Sequence, residues 1–263
     1  MSRALIAGLV QANSGDQPSS IHVFDRNPEK NAALHAEFGV SIHLSAENMV
    51  EACDVLVIAV KPQGFKAALE TLKTSILSRP RLIISVAAGI PTAAIRNWLS
   101  ADVSIVRAMP NMPALINEGA TGMYASEQVN ASQKQTAEQI LGTVGVCEWV
   151  NSDHDIDVVT ALSGSGPAYI MLLAAGMISA AENAGLARQT ATRLAIQTLK
   201  GTALMVAQST EDVTTLIEHI RSPNGTTDRA LKTFDQLAFS QVVEKAMEAA
   251  RVRANELGDE FGQ

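Results

Sequence analysis

The chain has 263 residues, of which 47% are hydrophobic and 18% charged, and its formal net charge is −7. This length allows one large domain or two ordinary ones, and the composition is typical of a soluble globular protein. The negative charge argues against a nucleic-acid-binding surface, because such a surface needs clustered Lys and Arg. It does not exclude a phosphate-bearing cofactor, which needs only a few local cations and backbone N–H groups.

The cysteines and the apolar runs of the sequence indicate the cellular compartment of the protein. Cys53 and Cys147 form no paired motif, which favours a reducing environment. We find no basic leader before an apolar stretch and expect no run of membrane-spanning length. The five histidines lack metal-ligand spacing. We therefore expect a cytoplasmic protein without a metal site or a membrane contact.

The first part of the chain alternates short β-rich runs with helical stretches. The β-rich runs are 21–24, 54–60, 82–86 and 103–107, and the helical stretches are 28–38, 46–52, 63–77 and 91–99. Pro28 and Pro91 suit first-turn positions of helices. This alternation predicts an α/β domain over 1–152, a Rossmann-like parallel sheet with crossover helices. Ligands bind such sheets beyond the carboxyl ends of the strands.

Strand signals nearly vanish after residue 153, which predicts an all-helical domain over 153–263. The helical stretches there are 168–184, 189–208, 226–234 and 240–257. The stretch 168–184 carries no charge before Glu182, and a helix that is apolar on nearly all sides is usually buried. In so small a helical domain a second subunit must cover it, so we expect at least a homodimer.

Residues 1–12 have a helical pattern, with no strand and no glycine-rich turn before them. In a dinucleotide-binding fold, a strand and a G-x-G-x-x-G turn precede the first helix. Met1 either opens an ordinary helix, or the protein starts about a dozen residues upstream, the length of a strand and a turn. The second interpretation predicts that the chain as written binds cofactor weakly or folds poorly.

The run Asp25-Arg26-Asn27-Pro28 follows the first β-rich stretch. An acid at this place can accept hydrogen bonds from the adenine ribose of NAD, whereas an Arg can hold the 2′-phosphate of NADP. The alternative is a polar turn that caps the next helix. The residues alone leave the cofactor choice open.

Three more segments end predicted strands. They are Ala59-Val60-Lys61, Ala87-Ala88-Gly89 and the run from Arg107 to Asn111. Their positions would place Lys61, the small alanines and Asn111 beside a cofactor. Each segment has an alternative interpretation. Lys61 could be a solvated side chain, and the Ala-Ala-Gly run could be an ordinary turn. Asn111 could close a turn onto its own backbone.

Two further turns each lead into a helix. The run Ser163-Gly164-Ser165-Gly166-Pro167 is either a close approach to a cofactor or a corner between helices. The run Ser222-Pro223-Asn224-Gly225-Thr226-Thr227 gives a helix start whose free N–H groups suit a carboxylate. The alternative is a plain cap, with Thr226 or Thr227 as the capping residue.

Taken together and in this order, these segments resemble the signatures of the pyrroline-5-carboxylate reductases. The resemblance implies reduction of 1-pyrroline-5-carboxylate to L-proline by NADPH or NADH. It implies that Ser222, Asn224, Gly225, Thr226 and Thr227 bind the substrate, with Thr227 bonding the ring nitrogen as the catalytic residue. The residues that it places at the cofactor are Asp25, Arg26, Pro28, Ala59, Val60, Lys61, Ala87, Ala88 and Asn111. The family forms dimers and often decamers.

Two other functions stay open. A related hydroxy-acid dehydrogenase usually has a Lys in its helical domain, and Lys200 lies there, although outside any motif. A homologue that kept the fold and lost catalysis would serve as a binding or scaffold protein.

Overall fold

The computed structural model describes residues 1–12 and 20–262. The chain forms two compact units, one of Met1–Ser165 with Ala249–Gln263 and one of Gly166–Glu248. This division differs from the predicted boundary after residue 152. Residues 153–165 belong with the sheet, because Asp153 and Asp157 bind Arg107 of the sheet.

The strands of the first unit form two sheets. The strands are β1 (His22–Val23), β2 (Ser41–Ile42), β3 (Val55–Ile58), β4 (Leu82–Ser85), β5 (Ser104–Met109), β6 (Gly119–Ala125) and β7 (Gly145–Trp149). β1 pairs with β2, and the second sheet has the order β3-β4-β5-β6-β7. Within the described residues no ladder joins the two sheets.

The predicted Rossmann-like parallel sheet is confirmed over the first three strands of the larger sheet, to which β6 adds one antiparallel pairing. β3, β4 and β5 are parallel, whereas β5 and β6 are antiparallel. The two antiparallel strands are joined through a short 3₁₀ segment, Met112–Ile116. A parallel pair needs a crossover of a dozen or more residues, which this connection does not provide.

The first five helices of the first unit lie close to the predicted ranges, and the last two had no predicted range. The helices are α1 (Ser2–Ala12), α2 (Pro28–Phe38), α3 (Ala46–Ala52), α4 (Pro62–Leu77), α5 (Thr92–Leu99), α6 (Ala131–Leu141) and α7 (Asp153–Val159). Pro28 begins α2 as predicted. Pro91 does not begin α5 but precedes it as the N-cap, since its backbone is extended.

Apolar clusters on both faces of the larger sheet form the core. Ile83 belongs to a cluster with Phe65 and Ile95, from α4 and α5. Its neighbour Ile84 belongs to a second cluster with Leu5 of α1. Successive strand side chains point to opposite faces, so this sheet is covered on both sides, as parallel sheets are.

Arg107 of β5 ties two helices to the carboxyl end of the sheet. Its side chain is 3% exposed, and its Nη1 donates to the Asp153 carbonyl oxygen at 2.9 Å and to Asp153 Oδ1 at 3.0 Å. Its Nη2 donates to Asp157 Oδ1 at 2.8 Å. The other oxygen of Asp153 accepts hydrogen bonds from the backbone N–H and the hydroxyl of Thr92. One ion cluster therefore fixes α7 and the start of α5 against β5.

The second unit is helical, as predicted. Its helices are α8 (Gly166–Asn183), α9 (Arg188–Gln208), α10 (Val213–Ile220) and α11 (Thr226–Gln236), followed by the first part of α12 (Phe239–Phe261). α8 has no buried residue in the single chain. The predicted burial of this helix therefore requires a partner chain.

The segment Asp153–Asn183 is long and apolar enough to cross a membrane, judged by length and composition, and 6% of its most apolar window is buried. The expectation that no run reaches this length was wrong, because residues 158–181 contain no charged side chain.

Replacing Arg107 by Met should lower the free energy of unfolding by about 3 kcal/mol, because it leaves the carboxylates of Asp153 and Asp157 uncompensated. Urea unfolding at a fixed protomer concentration measures this loss. The control is Arg96→Met, which removes a partly exposed pair with Asp102 at 4.0 Å and should cost about 0.5 kcal/mol. Equal losses in the two variants would contradict a special role for Arg107.

Candidate active site

Three of the predicted cofactor segments leave the same edge of the sheet. Ile58, Ser85 and Arg107 are aligned across β3, β4 and β5. The N–H of Val86 donates to the carbonyl oxygen of Ile58 at 3.2 Å, which continues the alignment past the strand ends. The structure therefore confirms that the segments after β3, β4 and β5 leave the same edge of the sheet. Their contacts with a cofactor stay predictions.

The side chains at this edge are not all available to a ligand. Ala59 and Lys61 are exposed, and Lys61 precedes α4 without a side-chain cap. Val60 packs against the core, and Ala87 is 5% exposed within it. Ala88 is half-buried. The methyl group of Ala87 is therefore part of the core, and only its backbone is left to meet a cofactor.

The turn after β4 is closed by the end of the chain. Gly89 has φ of +74°, and a Cβ there would lie 2.8 Å from the Cβ of Leu257. A Cβ on Gly258 would lie 3.3 Å from the carbonyl oxygen of Gly89. Sequence reasoning missed this contact, although the pair Gly258 and Gly262, one helical turn apart, is a signal for close packing.

Asn111 joins the end of β5 to the segment before α8. Its Nδ2 donates to the carbonyl oxygen of Ser163 at 2.9 Å, and its Oδ1 accepts from the N–H of Ala120 at 2.9 Å. The residue is 8% exposed. Since both ends of the amide already bond protein, the structure favours a packing role for this side chain over the predicted cofactor contact.

The segment Thr160–Gly164 is a π-helical turn, in which the Ser165 N–H donates to the Thr160 carbonyl oxygen at 2.9 Å. A Cβ on Gly164 would lie 2.9 Å from the Cε of Met109, so glycine allows the turn to pack on the end of β5. The segment that ends β5 and the segment before α8 are therefore in contact. Such π turns occur frequently at functional sites.

The loop after β1 is held by side chains of its own. Asn31 accepts from the Asp25 N–H at 2.7 Å and donates to the Asp25 carbonyl oxygen at 2.8 Å. The Asp25 carboxylate accepts from the Asn27 N–H at 2.8 Å. Arg26 is exposed and has no ion-pair partner within the described residues, and Pro28 is exposed at the start of α2. Sequence reasoning missed Asn31, a polar residue buried on α2.

The turn from Ser222 to Thr227 leads directly into α11. Asn224 has φ of +61°, a conformation that Asn adopts more readily than most residues, and the Gly225 N–H donates to the Ser222 carbonyl oxygen at 2.9 Å. Gly225 is the N-cap, and α11 has no side-chain cap. The alternative of a Thr cap was wrong, because Thr226 and Thr227 are already the first two helical residues. The first-turn N–H groups are therefore open to an anion.

Asp228, which follows this turn, is 6% exposed and lies between two cations. Arg221 Nε donates to its Oδ1 at 2.8 Å, and Lys232 Nζ donates to its Oδ2 at 2.8 Å. The hydrogen bonds from Lys232 and from Arg221 hold the pKa of this carboxyl below its ordinary value. Sequence reasoning did not single out any of these three residues.

Comparisons with known proteins match both parts of the chain. Residues 153–257 match a family model described as pyrroline-5-carboxylate reductase dimerisation. Residues 1–89 match one described as NADP oxidoreductase, coenzyme F420-dependent.

Relatives match over nearly the whole chain. The pyrroline-5-carboxylate reductase of Pseudomonas aeruginosa is 42% identical over 263 residues, which is 100% of this chain and 95% of the relative. That of Haemophilus influenzae is 36% identical over 98% of this chain and 94% of the relative.

Solved structures agree with these relatives. A pyrroline-5-carboxylate reductase from Coxiella burnetii has a TM-score of 0.92 and 38% identity, over 97% of this chain and 94% of that one. The pyrroline carboxylate reductase of Plasmodium falciparum, with NADP bound, has a TM-score of 0.81 and 28% identity, over 97% of this chain and 93% of that one. The chain belongs to the pyrroline-5-carboxylate reductase family.

Proposed function

We propose that this protein reduces 1-pyrroline-5-carboxylate to L-proline, the last step of proline synthesis. The observation that carries the proposal is the 42% identity to a pyrroline-5-carboxylate reductase over the full length of the chain. The open start of α11 supports it, because a ring carboxylate needs N–H donors without partners of their own.

The turn from Ser222 to Thr227 holds the substrate. The N–H groups of Thr226 and Thr227 bind its carboxylate, and the positive end of the helix dipole favours that charge. The Thr227 hydroxyl bonds the ring nitrogen. A protonated imine is already electrophilic, so these residues need only orient it and exclude water, and no strong acid or base is required.

The edge of the sheet suits a dinucleotide that supplies the hydride. Lys61 and Ala88 follow neighbouring strands there, and small side chains let a ribose or a ring approach the backbone. Asp25 is occupied by its own loop, whereas Arg26 is exposed and without an ion-pair partner in the described ranges 1–12 and 20–262. This difference favours NADPH over NADH, with Arg26 on the 2′-phosphate.

The chain contains the family's dimerisation domain. The apolar side chains of α8, with Leu172 at 75% exposed and Met171 at 67%, form the face that a second copy covers. This interpretation also explains why a segment of membrane-spanning composition occurs here. Dimers assemble further into decamers, and the free cysteines Cys53 and Cys147 suit the cytoplasm.

Replacing Thr227 by Ala should lower kcat/KM for 1-pyrroline-5-carboxylate about tenfold or more, since one hydrogen bond to a charged ligand is lost. NADPH consumption measures the rate. The control is Thr233→Ala on the same helix, whose hydroxyl donates to the Arg229 carbonyl oxygen. Full turnover by Thr227→Ala would contradict the assigned role.

Replacing Arg26 by Ala should raise KM for NADPH about tenfold, because a charge-assisted contact to the 2′-phosphate is lost. KM for NADH serves as the internal control and should stay unchanged, because NADH lacks that phosphate. Parallel losses with both cofactors would show that Arg26 only shapes its loop.

Replacing Leu172 by Arg should convert the assembly to monomers, because a charge would be buried unpaired in the apolar interface. Light scattering after gel filtration gives the mass. The control is Leu44→Arg, at a fully exposed position of the first unit. If Leu172→Arg keeps the mass of the unaltered protein, the interface lies elsewhere.

A further inference from the structure

Asp228 occupies the third position of α11, where an acidic residue ordinarily caps its own helix. In the capping box, the side chain at this position accepts from the N–H of the N-cap residue. Asp155 does so at the same position of α7, with its Oδ2 accepting from Ser152 N–H at 2.9 Å and from Asn151 N–H at 3.0 Å. The start of α7 is therefore closed by its own side chains.

Asp228 makes no such bond at the start of α11. Each of its carboxylate oxygens accepts from a cation, Oδ1 from Arg221 and Oδ2 from Lys232, both at 2.8 Å. The N–H of the N-cap residue, Gly225, donates instead to the carbonyl oxygen of Ser222. The same residue type at the same helix position therefore caps α7 and does not cap α11.

We infer that Arg221 and Lys232 are positioning residues, which hold the Asp228 carboxylate between two counter-charges and thereby keep the start of α11 favourable to the substrate carboxylate. This inference rests on the proposed function, because it requires a carboxylate to bind the turn from Ser222 to Thr227. Without the two cations, an uncompensated carboxylate would directly follow the N–H groups of Thr226 and Thr227.

The charge of Asp228 gives the same conclusion. Hydrogen bonds from Lys232 and Arg221 lower its pKa, so the group is a carboxylate at neutral pH. A carboxylate without counter-charges would repel a second carboxylate at the neighbouring turn. The two cations offset that repulsion while the turn stays uncapped.

The test measures substrate affinity in Arg221→Gln. KM for 1-pyrroline-5-carboxylate and Kd for L-proline, measured by calorimetry, should each rise about tenfold, because the Asp228 carboxylate then lacks one of its two counter-charges. KM for NADPH should not change. Arg188→Gln is the matched control, since it removes an exposed 2.8 Å pair with Glu182 in the same unit, and its KM values should equal those of the parent.

A second variant separates positioning from simple support of the turn. Adding Asp228→Ala to Arg221→Gln removes the freed carboxylate and should restore most of the lost affinity. If the two residues served only to brace the turn, the double variant would bind no better than Arg221→Gln, and this outcome would overturn the inference.

Lys232→Met, alone and with Asp228→Ala, repeats the test at the other carboxylate oxygen in case Arg221→Gln does not fold. Unchanged KM and Kd in both single variants, with an active parent, would overturn the inference alone. A parent that neither turns over 1-pyrroline-5-carboxylate nor binds L-proline would overturn the proposed function and the inference with it.

Discussion

The arrangement of the sheet edge depends on the ion pairs of the Arg107 guanidinium, near the end of β5. This side chain is 3% exposed and binds Asp153 and Asp157, some fifty residues further along the chain. A buried charge of this kind is tolerated only with close counter-charges, so the strand, α7 and the start of α5 must keep one arrangement. That arrangement places the π turn after α7 on Met109 and Asn111. The segments that end β3 and β4 leave the same edge.

A related use of charge distinguishes the two helix starts that carry an acid at their third position. At α7 the acid completes a capping box by accepting from the N–H groups of Ser152 and Asn151, which is the more stable choice for an isolated helix. At α11 the acid is held by Arg221 and Lys232, and the N-cap is a glycine without a side chain. An unsatisfied helix start lowers stability, and proteins tolerate such a loss mainly at functional sites. The open start of α11 is the feature expected of a site that binds carboxylates.

Local signals were sufficient for much of the fold. α2 and α3 have the predicted bounds, because a proline and an Asn or Ser cap mark their starts. The positive φ at Asn224 has the same kind of local cause, because Asn adopts this conformation more readily than most residues. Contacts between distant residues were not predictable in this way. Asn31 holding Asp25, Arg107 holding Asp157 and Leu257 closing on Gly89 each depend on the tertiary arrangement. The family resemblance supplied the substrate and the reaction, which no single motif could have specified.

A crystal structure of this protein with L-proline and oxidised NADP tests the proposed site most directly. The proline carboxylate should lie within hydrogen-bond distance of the Thr226 and Thr227 N–H groups, with the ring nitrogen at the Thr227 hydroxyl. Asp228 should keep its bonds to Arg221 and Lys232 in the complex. Proline bound away from this turn, or a turn capped by Asp228 with no ligand, would contradict the proposed site.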